Sequence, residues 1–134
     1  MLTADQVSGY DIIGDVHGCA DALRALLEKL GYRDGGHWHH PERKAVFVGD
    51  IIDRGGQIRA AMQLVRRMVD AGSAYLVLGN HEYNAVAYQA SVEAPENSPL
   101  DAVQHRLGRH LHHTLQEYRF HPEEWRDLIH WLRR

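Results

Sequence analysis

The chain contains one cysteine, Cys19, in 134 residues, so it can form no internal disulfide and build no zinc–thiolate cluster. A reducing, cytoplasmic setting is the simplest expectation from that usage. Charge of one sign is lacking too. The formal net charge is −3 with histidine neutral, which gives no reason to expect nucleic acid or an anionic membrane as partner. No apolar run approaches the roughly eighteen residues of a membrane span. Residues 1–8 lack the basic-then-apolar layout of a signal peptide. What the composition allows is one soluble domain over 1–134, with 44% hydrophobic residues for a single core.

Histidine is the abundant residue. Eleven in a chain of this length invite a metal hypothesis, although crowding alone identifies no site. The first eighty or so residues repeat one rhythm: a short apolar run, a Gly-Asp or Gly-Asn turn, then a helical pattern. Strands are expected at 10–14, 45–48 and 74–78, and helices at 21–30, 58–71 and from His81 onward. This alternation predicts an α/β fold with right-handed crossovers and a mainly parallel sheet flanked by helices. The nearly continuous apolar runs predict strands covered on both faces. Functional residues should then gather at the carboxyl ends of the strands.

After a polar loop at 94–99 the pattern becomes helical. Ser98-Pro99-Leu100-Asp101 predicts a helix start, with serine as cap and proline at the first position. That helix would carry Val103, Leu107, Leu111 and Leu115. Pro122 opens a last helix whose Trp125, Leu128, Ile129 and Leu132 form an apolar stripe. The expected organisation is a motif-bearing β-α-β core over 8–90 and a helical segment over 98–134.

Three turns, each following a predicted strand, hold polar residues that a structural turn does not require. Gly14-Asp15-Val16-His17-Gly18 offers a carboxylate and an imidazole two positions apart. Gly49-Asp50-Ile51-Ile52-Asp53-Arg54-Gly55 adds two carboxylates and a guanidinium. Gly79-Asn80-His81-Glu82 adds an amide and another imidazole. One Gly-Asp turn is an ordinary loop signal. Three in order, each after a strand and one crossover apart, predict convergence on one point. Such oxygen and nitrogen donors suit hard or borderline ions such as Mn, Fe, Zn or Mg. Arg54 offers the planar fork that grips phosphate.

These motifs resemble the metallophosphoesterase (calcineurin-like) superfamily over roughly residues 10–85: Gly-Asp-x-His, Gly-Asp-x-x-Asp-Arg-Gly and Gly-Asn-His-Glu. Asp53-Arg54-Gly55 and Glu82 point within it to the serine/threonine-phosphatase-like branch, of bacterial type. The resemblance implies the first half of an α/β/β/α sandwich and a phosphoester hydrolase whose two metal ions, Mn before Fe, Zn or Mg, activate a hydroxide. It implies that Asp15 and His17 hold the first metal, Asp50 bridges, and Asn80 holds the second metal and contacts substrate phosphate. His81 would be the general acid, oriented by Asp53, with Arg54 as phosphate clamp.

No further strand is expected after residue 78, and the later histidine motifs of the family are missing, so the chain reads as the amino-terminal part of a longer enzyme. A missing half would expose apolar surface around Trp125, Leu128 and Leu132 and favour self-association. Two other readings stand beside the phosphatase: a catalytically weak metal- or phosphate-binding module, and a relative of the diadenosine-polyphosphate hydrolases. His37, His39 and His40 are expected in a solvated loop, and Cys19 as a small packing residue.

Overall fold

Parallel strands need long crossovers, and two helices supply them. In the computed structural model, which describes residues 6–134, β1 (Gly9–Ile13) leads through α1 (Ala20–Lys29) to a small hairpin, β2 (Arg33–Asp34) and β3 (Trp38–His39). β4 (Arg43–Phe47), α2 (Ile58–Asp70) and β5 (Ala74–Leu76) complete the crossover core. Helices follow: α3 (Asn80–Glu93), α4 (Asp101–His110), α5 (His112–Tyr118) and α6 (Pro122–Leu132). The main sheet is parallel in the order β1-β4-β5, so all three strands end on the same edge. No helix among the described residues is long and apolar enough to cross a membrane. Residues 1–5, part of the polar amino-terminal stretch, lie outside the described residues.

The expectation of strands covered on both faces is wrong. Ala45 and Phe47 of β4 are fully buried beneath the helices, together with Ile13 of β1 and Ala74 of β5. Residues of the opposite pleat phase are open: Tyr10 and Ile12 on β1, Val48 after β4, Tyr75 on β5 and Val77 beyond it. Ile12 is 73% exposed. An apolar run shows that both pleat phases are hydrophobic, but not that a second layer is present to cover one of them.

The helical segment packs more tightly than expected. Trp125, Leu128, Ile129 and Leu132 are buried, so the surface expected to be bare around α6 is instead core. Each such side chain contributes about 1.5–3 kcal/mol on leaving water. Tyr118 and Trp125 pack with ring centroids 5.4 Å apart, and burial pushes the Tyr118 hydroxyl well above its ordinary pKa. Glu124 at the start of α6 takes a charged hydrogen bond of 2.7 Å from Arg59 on α2, and that bond holds its carboxyl below the usual range.

Three local expectations also need correction. Ser98 does not cap a helix; its carbonyl and hydroxyl close a turn onto Asp101 and Leu100, and α4 begins at Asp101. The helix expected to carry Val103 through Leu115 breaks at Leu111 into α4 and α5. Cys19 is exposed at the amino end of α1, where its thiol donates to the His17 carbonyl at 3.6 Å, and it is no buried packing residue.

Candidate metal centre

The three polar turns leave the same edge of the sheet and are bonded to one another through the backbone. Val16 and His17 both donate N–H to the Asp50 carbonyl, at 3.1 and 2.8 Å, and Gly18 donates to Ile51. Gly55 and Gln57 return the contact by donating to His17 and Gly18. The second and third turns approach so closely that glycine is required. A Cβ on Gly49, whose φ is 94°, would lie 2.2 Å from the Gly79 amide nitrogen. Four non-glycine residues of the first two turns, His17, Asp50, Asp53 and Arg54, hold φ between 44° and 72°. Left-handed backbone at such residues costs about 1–3 kcal/mol each and persists only where surrounding contacts impose it.

One carboxylate imposes much of it. Glu82, fully buried on α3, accepts N–H donors from Asp50 at 2.5 Å, Ile51 at 2.9 Å, Ile52 at 3.3 Å and Gly79 at 3.2 Å. Burial pushes its carboxyl above the ordinary range, against the pull of the four N–H donors. The bond from Gly79 also caps α3, as a glutamate at the third helical position does.

With the turns locked, donor atoms of His17, Asp50 and His81 come within 4.8 Å of one another. The His17 Nδ1 lies 3.0 Å from the Ile52 carbonyl, which requires its proton there and leaves Nε2 as a free lone pair. Asp15, exposed, sits 3.6 Å from that Nε2. The Asp50 carboxylate accepts the His81 backbone N–H at 3.2 Å. The His81 Nδ1 meets the Asp53 carboxylate at 2.7 Å, which turns its Nε2 away from Asp53. The His17 and His81 rings meet edge-on at 4.7 Å. This nitrogen and oxygen set fits a hard or borderline divalent ion.

Two expected site residues make no hydrogen bond to this cluster among the described residues. Asn80 is exposed at the start of α3, and its amide makes no hydrogen bond among the described residues. Arg54 is exposed and lines a cavity of about 360 Å³ with His113 and Glu117. His105, His110, His112 and His113 are all exposed, and none joins the three-residue group.

Nothing in the residue pattern of α5 pointed to the site, yet that helix grips the second turn. Thr114, fully buried, donates its hydroxyl to the Asp53 carboxylate and accepts the Asp53 N–H at 3.0 Å. His113 Nδ1 reaches the Arg54 carbonyl at 3.3 Å. Glu117 accepts the N–H groups of Ile58 at 2.6 Å and Arg59 at 3.0 Å, capping α2 from outside. Asp53 is thus held by Thr114 on one oxygen and by His81 on the other.

Paired strands, glycine-tight turns and clustered N/O donors define a class. Residues 10–131 match the calcineurin-like phosphoesterase family, and the chain belongs to it. Among more particular likenesses, the chain is 50% identical over 74 residues to the bis(5'-nucleosyl)-tetraphosphatase PrpE [asymmetrical] of Halalkalibacterium halodurans, covering 54% of this chain and 30% of that protein. It is 42% identical over 74 residues, with the same coverage, to the protein of that name from Bacillus subtilis. A solved structure described as a candidate diadenosine tetraphosphatase is 29% identical, covering 75% of this chain and 41% of the other, with a TM-score of 0.46. The match to the curated relatives therefore spans about 30% of their length.

Thr114→Val should lower the unfolding free energy by about 1–3 kcal/mol, because it strands both the Asp53 amide and one carboxylate oxygen in a buried place. Thermal unfolding followed by circular dichroism measures this, and Thr114→Ser should recover most of the loss.

Proposed function

We propose that this chain carries the metal-binding half of a phosphoester or phosphoanhydride hydrolase. The observation that supports the reading most is the approach of His17, Asp50 and His81 to one point, with Asp53 bracing the imidazole of His81. Asp15, His17 and Asp50 would hold the first of two divalent ions, with Asp50 shared and Asn80 serving the second; Mn is the expected metal, with Fe, Zn or Mg as substitutes. When bound, such ions neutralise phosphate charge and lower the pKa of water.

The chain's own residues do the rest. Asp53 fixes the ring of His81, whose Nε2 is then free to give a proton to the departing oxygen. Asn80 and Arg54 supply donors for phosphate oxygens. Arg54 is exposed, and a bound phosphate would have to draw its guanidinium toward the cluster. The low exposure of Asp53, 2%, keeps water from competing for its bond to His81.

For substrate class, the names of the relatives favour a dinucleoside polyphosphate over the phosphomonoester that the serine/threonine-phosphatase-like motifs first suggest. Self-association belongs to the same reading, through the open sheet face around Ile12 and Tyr75 and not through α6. Cytoplasmic residence is consistent with it.

In Mn-loaded protein, bis(5'-adenosyl) tetraphosphate should be cleaved to unequal nucleotides faster than an aryl phosphate is hydrolysed. Asp53→Asn should lower turnover roughly 100-fold while Mn content stays the same. Equal turnover by the variant would remove His81 from its proposed role. A preference for the aryl phosphate would return the substrate to the phosphomonoester class. In sedimentation velocity, Ile12→Lys should shift any dimer of the chain to monomer; a dimer that survives the change would place the contact elsewhere.

A further inference from the structure

The opposite edge of the sheet holds a cavity of about 470 Å³, a size that small-molecule sites commonly have. Its lining includes Lys44 and Arg43 at the start of β4, His37, His39 and His40 from the hairpin region, and Ser73 ahead of β5. No carboxylate is among the lining residues. Asp50 lies six positions beyond Lys44 (44 to 50), roughly 20 Å along extended chain, so this cavity is separate from the metal centre.

Lys44 is the informative residue. It is only 8% exposed, yet its ammonium has no hydrogen-bond or ion-pair partner among the described residues. It has one electrostatic contact, with the Tyr75 ring, whose centroid is 5.5 Å away. Because no buried side-chain nitrogen or oxygen among the described residues lacks a partner, this ammonium still reaches water, and its charge is free to meet an anion. Arg43, by contrast, is already committed: its Nε donates to Asp11 at 3.0 Å and a terminal nitrogen to the Tyr10 carbonyl at 2.9 Å. It forms a fixed wall.

The histidines are arranged around this wall in defined states. His40 Nδ1 accepts the backbone N–H groups of Glu42 at 3.0 Å and Arg43 at 3.1 Å, so its proton sits on Nε2. His39 Nδ1 lies 3.3 Å from the His37 carbonyl, which puts its proton there and leaves Nε2 as a lone pair, so His40 and not His39 offers an N–H. The Ser73 hydroxyl makes no hydrogen bond among the described residues. One ammonium without an ion-pair partner, a free hydroxyl and the His40 Nε2–H around a cavity without acids suit a compact anion with several oxygens.

We infer that this cavity binds the phosphate group of a small phosphorylated molecule, with Lys44 as the principal charge and the His40 Nε2–H and the Ser73 hydroxyl as hydrogen-bond donors. The volume exceeds that of orthophosphate and leaves room for an organic portion against Pro41 and Ala71. The site is independent of the reading given for the metal centre.

Pyrophosphate titrated calorimetrically into the chain in excess EDTA keeps the metal centre silent. Saturable binding is expected, weakened at least about tenfold by Lys44→Met, since a charge-assisted bond of this kind is worth that much. His40→Gln and Ser73→Ala, at less buried positions, should each weaken it measurably, and they carry the test if Lys44→Met unfolds. Asp50→Asn should leave binding unchanged. Absence of binding at millimolar pyrophosphate, indifference to all three cavity substitutions, or loss of binding in Asp50→Asn would each overturn the proposal.

Discussion

The geometry of the metal centre depends on the buried carboxylate of Glu82. Its two oxygens collect four backbone N–H groups, three from the turn after β4 and one from the turn after β5. Two loops that are thirty residues apart in sequence are joined at one acidic side chain that contacts no solvent. A carboxylate in such a place is stable only while every donor stays in position, since a buried charge with missing partners costs several kcal/mol. The requirement runs in both directions. Glu82 needs the left-handed backbone of Asp50 to receive its amide, and Asp50 needs Glu82 to hold that conformation.

A second support comes from the helical segment. Thr114, His113 and Glu117 lie on successive positions of one face or edge of a single short helix and bind Asp53, Arg54 and the amino end of α2 respectively. Glu82 fixes the front of the second turn and α5 fixes its back. The late helices are therefore structural members of the site, with α5 packed against α2, α4 and α6.

Much of this was legible in the sequence because the periodicities are strong and local. The three parallel strands, the crossovers α1 and α2, the opening of α6 at Pro122 and the position of each polar turn all follow from apolar spacing and glycine placement. The approach of His81 to Asp53 is also where the motifs suggested it. What escaped the sequence depends on tertiary contact. Thr114 is 61 positions from Asp53, and a lone threonine in a helix carries no mark of its partner. Glu82 read as a family marker because donors on its oxygens come from backbone, which has no signature. The open face bearing Ile12 was missed because hydrophobicity does not reveal which layer lies opposite. The hairpin of β2 and β3 has two residues per strand, too short for any period to register.

On this reading Glu82 organises the candidate metal centre from outside, through backbone N–H groups alone. Mn(II) binding followed by electron paramagnetic resonance, for the parent chain and for Glu82→Gln, tests it directly. The glutamine keeps the size of the side chain but replaces one acceptor oxygen with a donor that faces backbone N–H groups. At a temperature where circular dichroism shows both proteins folded, the account predicts tight Mn(II) binding by the parent chain and its loss in Glu82→Gln, although Asp15, His17 and Asp50 are all intact. Equal Mn(II) affinity in the two proteins would contradict it, and would show that the strand ends alone are enough to bring the ligands together.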